Sequence, residues 1–211
     1  MMNITNEDNM ELMARYPDNY FDLAIVDPPY GIDNKISTVS GLNKGNKFAQ
    51  LYNKKRWDKF RPENNYWSEL LRVSKNQIIW GGNYFLNHLG KTDGFVVWDK
   101  MNGTNPMADA ELAWQNIKGT TRMFRWHHFS GERTKKIHPT QKPVKLYEWL
   151  LMNYAKEGDR ILDTHLGSGS IAIACHNLGF DLVGCELDTD YFEAAQNRLE
   201  QHQSQLRIPM T

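Results

Sequence analysis

The fold of this chain is decided by Arg160–Ser170, which reads RILDTHLGSGS. The apolar run ending at Asp163 predicts a buried strand, the glycine-containing stretch predicts a turn, and apolar residues at helical spacing predict a helix over 170–178. Glycines let a bound molecule approach the backbone closely, and free N–H groups at the start of the next helix favour a carboxylate or a phosphate. This order of elements indicates a nucleotide-binding turn.

The strand expected over 181–186 supports that interpretation, because it ends in Glu186, about twenty residues after the turn, where an acid suits ribose hydroxyls. The third glycine of a dinucleotide fingerprint is absent, as is a P-loop motif, which disfavours a dehydrogenase or a P-loop NTPase. A cofactor with adenosine and a carboxylate but no phosphate fits better. The candidate cofactor-binding residues are Asp163, His165, Gly167, Ser168, Gly169, Ser170, Glu186 and Leu187.

Strands and helices alternate through the rest of the chain. Strands are predicted over 21–27, 77–81, 95–98 and 111–114, and helices over 9–15, 65–73, 144–155 and 191–201. Residues 95–114 lack a good intervening helix and predict two antiparallel strands. The pattern is typical of an α/β protein with a mostly parallel sheet, and 211 residues fit one domain spanning 1–211.

A second motif, Asp27-Pro28-Pro29-Tyr30, stands where the first long strand ends, which is where open α/β sheets bind ligands. The prolines remove two N–H donors and leave the Asp27 carboxylate and the Pro28 carbonyl as acceptors for an amino group. Tyr30 offers a face on which a base extruded from a duplex can stack. We therefore predict that these four residues are catalytic; a rigid turn that closes the strand is the alternative.

The charge is balanced overall but unevenly distributed. The net charge of +0 disfavours a general polyanion binder, yet the loop over 31–61 and the stretch over 118–145 are locally basic. Lys54, Lys55 and Arg56 in the loop are candidate phosphate contacts, with a solvated basic loop as the alternative.

Two further features bear on compartment and metals. No basic start with an apolar run and no bilayer-length apolar stretch are found, so the cytoplasm is the expected location. Cys175 and Cys185 lie in apolar contexts without ligand spacing, which predicts buried thiols and no metal site.

With both motifs in hand, the chain resembles the permuted β group of DNA amino-methyltransferases, in which Asp-Pro-Pro-Tyr precedes the cofactor turn. Matching segments also lie at 80–85, 96–100 and 138–143, the last reading HPTQKP. The resemblance implies a seven-stranded Rossmann-like sheet with one antiparallel strand and a short edge strand at 3–5. It also implies S-adenosylmethionine as cofactor, with contacts from Thr140, Lys142 and Asp8; for Asp8, capping of the following helix is the alternative.

The chain departs from this family after Asp163. The family commonly has Asp-Pro-Phe there, whereas this chain has Thr164 and His165. The imidazole is still planar, and we expect it to form a pocket wall rather than to act as a base. A catalytically inactive nucleic-acid-binding relative is the alternative that this departure supports.

The resemblance implies a site-specific DNA methyltransferase that modifies adenine N6 of a flipped base, with or without an accompanying restriction enzyme. Cytosine-N4 methylation is the nearest alternative, although that chemistry more often carries Ser in place of Asp27; RNA- and glutamine-directed relatives are further alternatives. The span 115–137 occupies the slot of the target-recognition region, with Arg122, Arg125 and Arg133 as candidate DNA contacts. Its shortness predicts a small recognition site or help from a second subunit, as in a homodimer.

Overall fold

The computed structural model describes residues 1–32, 58, 61–103, 108–117, 119–127 and 136–205. The strands in these ranges are β1 (Met2–Thr5), β2 (Phe21–Val26), β3 (Ser74–Trp80), β4 (Phe95–Asp99), β5 (Ala110–Gln115), β6 (Arg122–Arg125), β7 (Arg160–Asp163) and β8 (Asp181–Cys185). The helices are α1 (Asn9–Ala14), α2 (Asn64–Val73), α3 (Leu86–Leu89), α4 (Val144–Tyr154), α5 (Ser170–Leu178) and α6 (Thr189–Ser204), with a 3-10 helix over Gly82–Tyr84.

One sheet contains these eight strands in the order β1-β8-β7-β2-β3-β5-β4-β6. The first five are parallel to one another, and β6 is parallel to β4. β5 is antiparallel to both β3 and β4, so it alone among the described strands runs against the rest. The predicted α/β class, the mostly parallel sheet and the antiparallel pair are confirmed.

The sheet has one strand more than the seven that the family resemblance implied. The additional strand is β6, whose Arg122–Arg125 pair with Val96–Asp99 of β4. Its side chains are mostly exposed, so it lacks the apolar run by which a buried strand is recognised in a sequence. Hydrogen bonds to the edge of β4 define it instead.

Some element ends differ from the predicted bounds for local reasons. α1 begins at Asn9 as predicted, directly after Asp8, whose side chain caps it, but it ends at Ala14, one residue early. α6 begins at Thr189, two residues earlier than predicted, because the Asp188 side chain caps its first turn. β3 begins at Ser74 rather than Gln77, since pairing with β2 extends back to Ser74.

Helices cover both faces of the sheet. Alternate residues of β2 point to opposite sides, so that Leu23 and Ile25 pack with α4 and α5, while Ala24 and Val26 pack with α1 and α2. The edge formed by the carboxyl ends of the parallel strands is therefore where a site can open. No helix within the described ranges is both long and apolar enough to cross a membrane.

The two cysteines are buried free thiols, as predicted. Burial raises the pKa of both Cys175 and Cys185, which keeps them protonated at neutral pH. They contribute to the core as small apolar side chains.

Candidate active site

The two sequence motifs meet at one edge of the sheet. β2 and β7 are parallel neighbours, with Leu23 opposite Ile161, so their carboxyl ends lie side by side. A cavity of about 610 Å³ opens there, and its lining includes both Asp27 and Gly167. The crevice that the catalytic prediction required between the two motifs is present.

Most of the residues predicted to bind the cofactor line this cavity. They are Asp8, Thr140, Lys142, His165, Gly167, Ser168, Glu186 and Leu187. Three others, Asp163, Gly169 and Ser170, lie behind the lining. Asp163 is only 2% exposed, its Oδ1 accepts from the backbone N–H of His165 at 3.0 Å, and burial raises its pKa to about 8.

Glu186 holds the glycine turn against the end of β8. Its Oε2 accepts from the backbone N–H of Gly167 at 2.8 Å, and its Oε1 accepts from that of Asp188 at 2.9 Å. Gly167 has a φ of +53°, a conformation that favours glycine. Burial raises the pKa of Glu186, and these N–H groups offset part of that rise. The remaining lone pairs of the carboxylate are available for ribose hydroxyls.

Arg198 of α6 braces the glycine turn from behind. Its guanidinium donates to the Ser168 carbonyl at 2.8 Å and to Ser170 Oγ at 2.9 Å. Ser170 in turn donates to the carbonyl of Lys142 at 2.7 Å. The turn is thus tied to the segment 138–143, and Arg198 is a residue that sequence reasoning missed because it lies on a helix with no motif of its own.

His165 is enclosed by polar neighbours in the cavity wall. Its Nε2 lies 3.2 Å from Asn9 Nδ2, and its Nδ1 lies 2.9 Å from Thr164 Oγ1 and 3.5 Å from the Tyr66 hydroxyl. An amide nitrogen only donates, so Nε2 is assigned as the acceptor and Nδ1 as the protonated nitrogen. Burial lowers the pKa of His165 to about 3. The imidazole is a neutral pocket wall, held by Asn9, Tyr66 and Thr164, at the position where the family commonly has phenylalanine.

Both oxygens of the Asp27 carboxylate have partners. The Tyr30 hydroxyl donates to Oδ1 at 2.6 Å, and the Lys142 ammonium donates to Oδ2. Pro28 is buried, while Pro29 lines the cavity. Lys142, for which the resemblance implied a cofactor contact, therefore also contacts the predicted catalytic carboxylate.

The Tyr30 ring packs against other residues beside the cavity. It stacks on Tyr84, with ring centroids 5.1 Å apart and an interplanar angle of 18°. It also lies against Gly81, where an added Cβ would come within 2.2 Å of the ring. Gly81, recognised in the sequence only as part of a family segment, supplies this space.

Asp58 fixes the backbone that follows the catalytic motif. Its Oδ1 accepts from the backbone N–H groups of Tyr30 and Gly31, the latter at 2.9 Å, and its Oδ2 accepts from that of Ile32 at 3.2 Å. Asp58 is 1% exposed. In the sequence it is the single acid between Lys35 and Arg61, and nothing in that pattern distinguishes it from a solvated residue.

The structure describes only some of the residues predicted to contact DNA. Lys54, Lys55, Arg56 and Arg133 lie outside the described residues. Arg125 is at the carboxyl end of β6, on the same edge of the sheet as Asp27, and its exposed guanidinium lies 3.3 Å from Asp99. Arg122 is at the other end of β6, away from the cavity.

The cavity suits the cofactor that the sequence predicted. Its volume lies in the range of small-molecule sites. It offers a carboxylate for ribose hydroxyls from Glu186, a close backbone approach at Gly167 and a planar wall from His165. At the other end it reaches Asp27, so a group bound against the turn faces the candidate catalytic residue.

Comparison with known proteins finds similar methyltransferases. The family model of DNA methylases described as N6_N4_Mtase matches residues 98–197. Type II methyltransferase M2.DpnII from Streptococcus pneumoniae is 25% identical, over 94% of this chain and 90% of that protein.

Solved structures of methyltransferases share the fold. The M1.HpyAVI–SAM complex superposes with a TM-score of 0.62 at 21% identity, covering 94% of this chain and 99% of that one. PvuII DNA methyltransferase, which is cytosine-N4-specific, gives a TM-score of 0.61 at 11% identity, covering 96% and 90%. These matches confirm the resemblance and the fold predicted from the sequence: the chain is similar to DNA methylases of the N6_N4_Mtase type over residues 98–197 and shares its fold with solved methyltransferases.

Proposed function

We propose that this protein transfers a methyl group from S-adenosylmethionine to the exocyclic amine of a base in DNA, with adenine N6 as the target. The observation that carries the proposal is the position of Asp27, a carboxylate at the end of β2 that lines the same cavity as the glycine turn. The relatives named as type II methyltransferases support DNA as the substrate. A DNA substrate also agrees with the cytoplasmic location expected from the sequence.

The chemistry requires that a poor nucleophile be oriented. When bound, S-adenosylmethionine supplies a methyl group on a sulfonium. The amine lone pair is delocalised into the base, and acceptors that hold both amine hydrogens favour a more tetrahedral nitrogen. Oδ1 of Asp27 accepts one hydrogen in this proposal, and the Pro28 carbonyl accepts the other, which aims the lone pair at the cofactor's end of the cavity. After transfer the nitrogen loses one proton to water.

Tyr30 serves two purposes in this scheme. Its hydroxyl now occupies Oδ1 of Asp27 at 2.6 Å, so an incoming amine must replace it as the donor. Its ring, packed beside the cavity on Tyr84, gives an extruded base a surface to stack on.

The choice between adenine and cytosine rests on the first residue of the motif. Asp27 stands where cytosine-N4 enzymes more often carry serine, which favours adenine. The fold does not discriminate, since the cytosine-N4-specific PvuII enzyme superposes about as well as M1.HpyAVI does.

Contacts with DNA phosphates are assigned to the basic segments around the cavity. Arg125 lies on the cavity's edge of the sheet, and Lys54, Lys55, Arg56 and Arg133 remain predictions from the sequence. Since the span 115–137 is short, a second subunit is the alternative means of extending the DNA contact.

The deciding experiment incubates the protein with unmethylated duplex DNA and methyl-labelled cofactor, digests the product and identifies the modified nucleoside. N6-methyladenine is the expected result, and N4-methylcytosine would move the target to cytosine. Asp27→Ala should abolish turnover while calorimetry shows cofactor binding retained, because the carboxylate serves the target amine. Failure of the wild-type protein to bind S-adenosylmethionine would instead favour an inactive nucleic-acid-binding relative.

A further inference from the structure

A row of four alternating charges runs from the cavity into the protein. The Lys142 ammonium donates to Asp27 Oδ2 and lies 3.2 Å from Glu111 Oε2, while Glu111 Oε1 lies 2.5 Å from the Lys100 ammonium. The exposed fractions of the side chains are 2% for Lys142, 14% for Lys100, 16% for Asp27 and 24% for Glu111. The row is therefore a largely buried network with equal numbers of positive and negative groups.

The direction of β5 explains how Glu111 reaches this place. β5 is antiparallel to its neighbours, so its amino end, where Glu111 lies, is at the edge where the parallel strands have their carboxyl ends. The backbone confirms the proximity, since Gly81 N–H donates to the Leu112 carbonyl at 2.8 Å. A residue at the start of a parallel strand would lie at the opposite edge of the sheet.

The two carboxylates together keep Lys142 charged. Burial alone lowers the pKa of Lys142, but Asp27 and Glu111 raise it above the ordinary value for lysine. Burial likewise raises the pKa of Glu111, but Lys142 and Lys100 bring it down to about 2. A buried charge that loses one of its partners destabilises the folded protein, so each charged side chain in the row depends on its neighbour for its position.

We propose that Glu111 is a positioning residue for methyl transfer, which anchors the Lys142 ammonium so that Lys142 holds Oδ2 of Asp27 and leaves Oδ1 directed at the target amine. The inference rests on the proposed function. Lys142 has no other carboxylate among the described ion pairs to fix its ammonium between β2 and β5. Without Glu111 the ammonium turns wholly toward Asp27, and the carboxylate changes both its orientation and its strength as an acceptor.

Glu111→Gln tests this in the full-length protein, because it keeps the size of the side chain and removes its charge. We expect kcat on unmethylated duplex DNA to fall by about 10- to 100-fold, while KM for DNA stays within about threefold. The Kd for S-adenosylhomocysteine, measured by calorimetry, should stay within about threefold of the wild-type value. Because this ligand lacks the sulfonium charge, its Kd reports the shape of the pocket and responds little to the charge removed at Glu111.

The matched control is Glu148→Gln. Glu148 is another largely buried carboxylate paired with a lysine, Lys145 at 2.7 Å, and it lies on α4 outside the cavity lining. Its substitution should leave kcat within about twofold. Equal losses of kcat in the two variants would mean that Glu111 has only a structural role.

A double-mutant cycle with Lys142→Met tests whether Glu111 acts through Lys142. The double variant Lys142→Met with Glu111→Gln loses one charge of each sign, so the remaining buried charges still balance. It can therefore be measured even if Glu111→Gln alone fails to fold. We expect its kcat to equal that of Lys142→Met within about threefold, whereas a further tenfold loss overturns the inference. If the wild-type protein methylates no DNA, the proposed function is contradicted. If the wild type is active and Glu111→Gln is equally active, only the inference about Glu111 is contradicted.

Discussion

The Tyr30 hydroxyl donates to Oδ1 of Asp27 at 2.6 Å, which places a protein donor on the oxygen that the target amine needs. Because Lys142 occupies Oδ2, the amine and Tyr30 compete for one acceptor. We therefore expect the ring and the hydroxyl of Tyr30 to have different roles. The ring stacks on the target base, whereas the hydroxyl stabilises the Asp27 carboxylate only while no target amine is bound.

Tyr30→Phe keeps the ring and removes the competing donor, so we expect kcat/KM on DNA to change by less than about threefold. Tyr30→Ala removes the stacking surface and should lower kcat/KM by about tenfold or more. Steady-state kinetics of both variants on one duplex substrate provide the comparison. Equal losses in the two variants would show that the hydroxyl, not the ring, supports the reaction.

Gly81→Ala should displace Tyr30, because the new Cβ would lie 2.2 Å from the ring. Gly179→Ala is the matched control: Gly179 is also left-handed, with φ +77° and ψ 24° against +64° and 20° at Gly81, and a Cβ added there would have no atom within 4 Å. Both variants should lose about 1 kcal/mol or more of stability through a side chain at positive φ. Only Gly81→Ala should also lose activity, and chemical denaturation together with turnover measurements separates the two effects. Normal activity in a folded Gly81→Ala protein would argue against a fixed place for the ring.

These tests concern a site that the sequence predicted in part. The two strand-end motifs were recognisable because each is local, and they meet because β2 and β7 are parallel neighbours. The pairing itself is not local. Glu111 reads as an ordinary strand residue until β5 is known to lie antiparallel between β3 and β4, which brings its amino end to the cavity's edge.

Asp58 and Arg198 escaped prediction for a related reason. Each acts on backbone groups far away in the chain, Asp58 on the N–H groups after Tyr30 and Arg198 on the Ser168 carbonyl. Such contacts require no sequence motif, only a carboxylate or guanidinium brought there by the fold. The additional strand β6 was missed similarly, since its exposed side chains carry no apolar pattern.

Glu186→Gln should weaken cofactor binding. The carboxylate accepts from the N–H groups of Gly167 and Asp188 through different oxygens, and an amide offers one acceptor where two are used. We expect the Kd for S-adenosylmethionine to rise by about tenfold, measured by calorimetry. Glu193→Gln, an exposed change on α6, is the control and should leave the Kd unaltered. An unchanged Kd in Glu186→Gln would remove this residue from the cofactor site.

His165 gives the stability of the protein a specific pH dependence. Burial lowers its pKa to about 3 in the folded protein, against an ordinary value near 6.5. Below pH 6.5 the unfolded chain binds a proton that the folded protein does not, so this contribution to stability is present above pH 6.5 and is lost as the pH falls toward 3. His165→Gln cannot titrate and lacks this dependence.

The measurement is urea denaturation of both proteins at pH 7 and pH 5. The free energy of unfolding of the wild type should fall by about 2 kcal/mol relative to that of His165→Gln between these values, because 1.5 pH units below about 6.5 correspond to that free energy.

Asp163, whose pKa burial raises to about 8, acts in the opposite direction. The folded protein retains a proton that the unfolded chain releases, so stability falls as the pH rises from about 4 to 8. Both proteins retain Asp163 and the backbone N–H that it accepts from, so its effect cancels in the difference. A difference in the free energy of unfolding that stays constant between pH 7 and pH 5 would mean that His165 titrates alike in the folded and unfolded states, and the neutral imidazole wall would have to be abandoned.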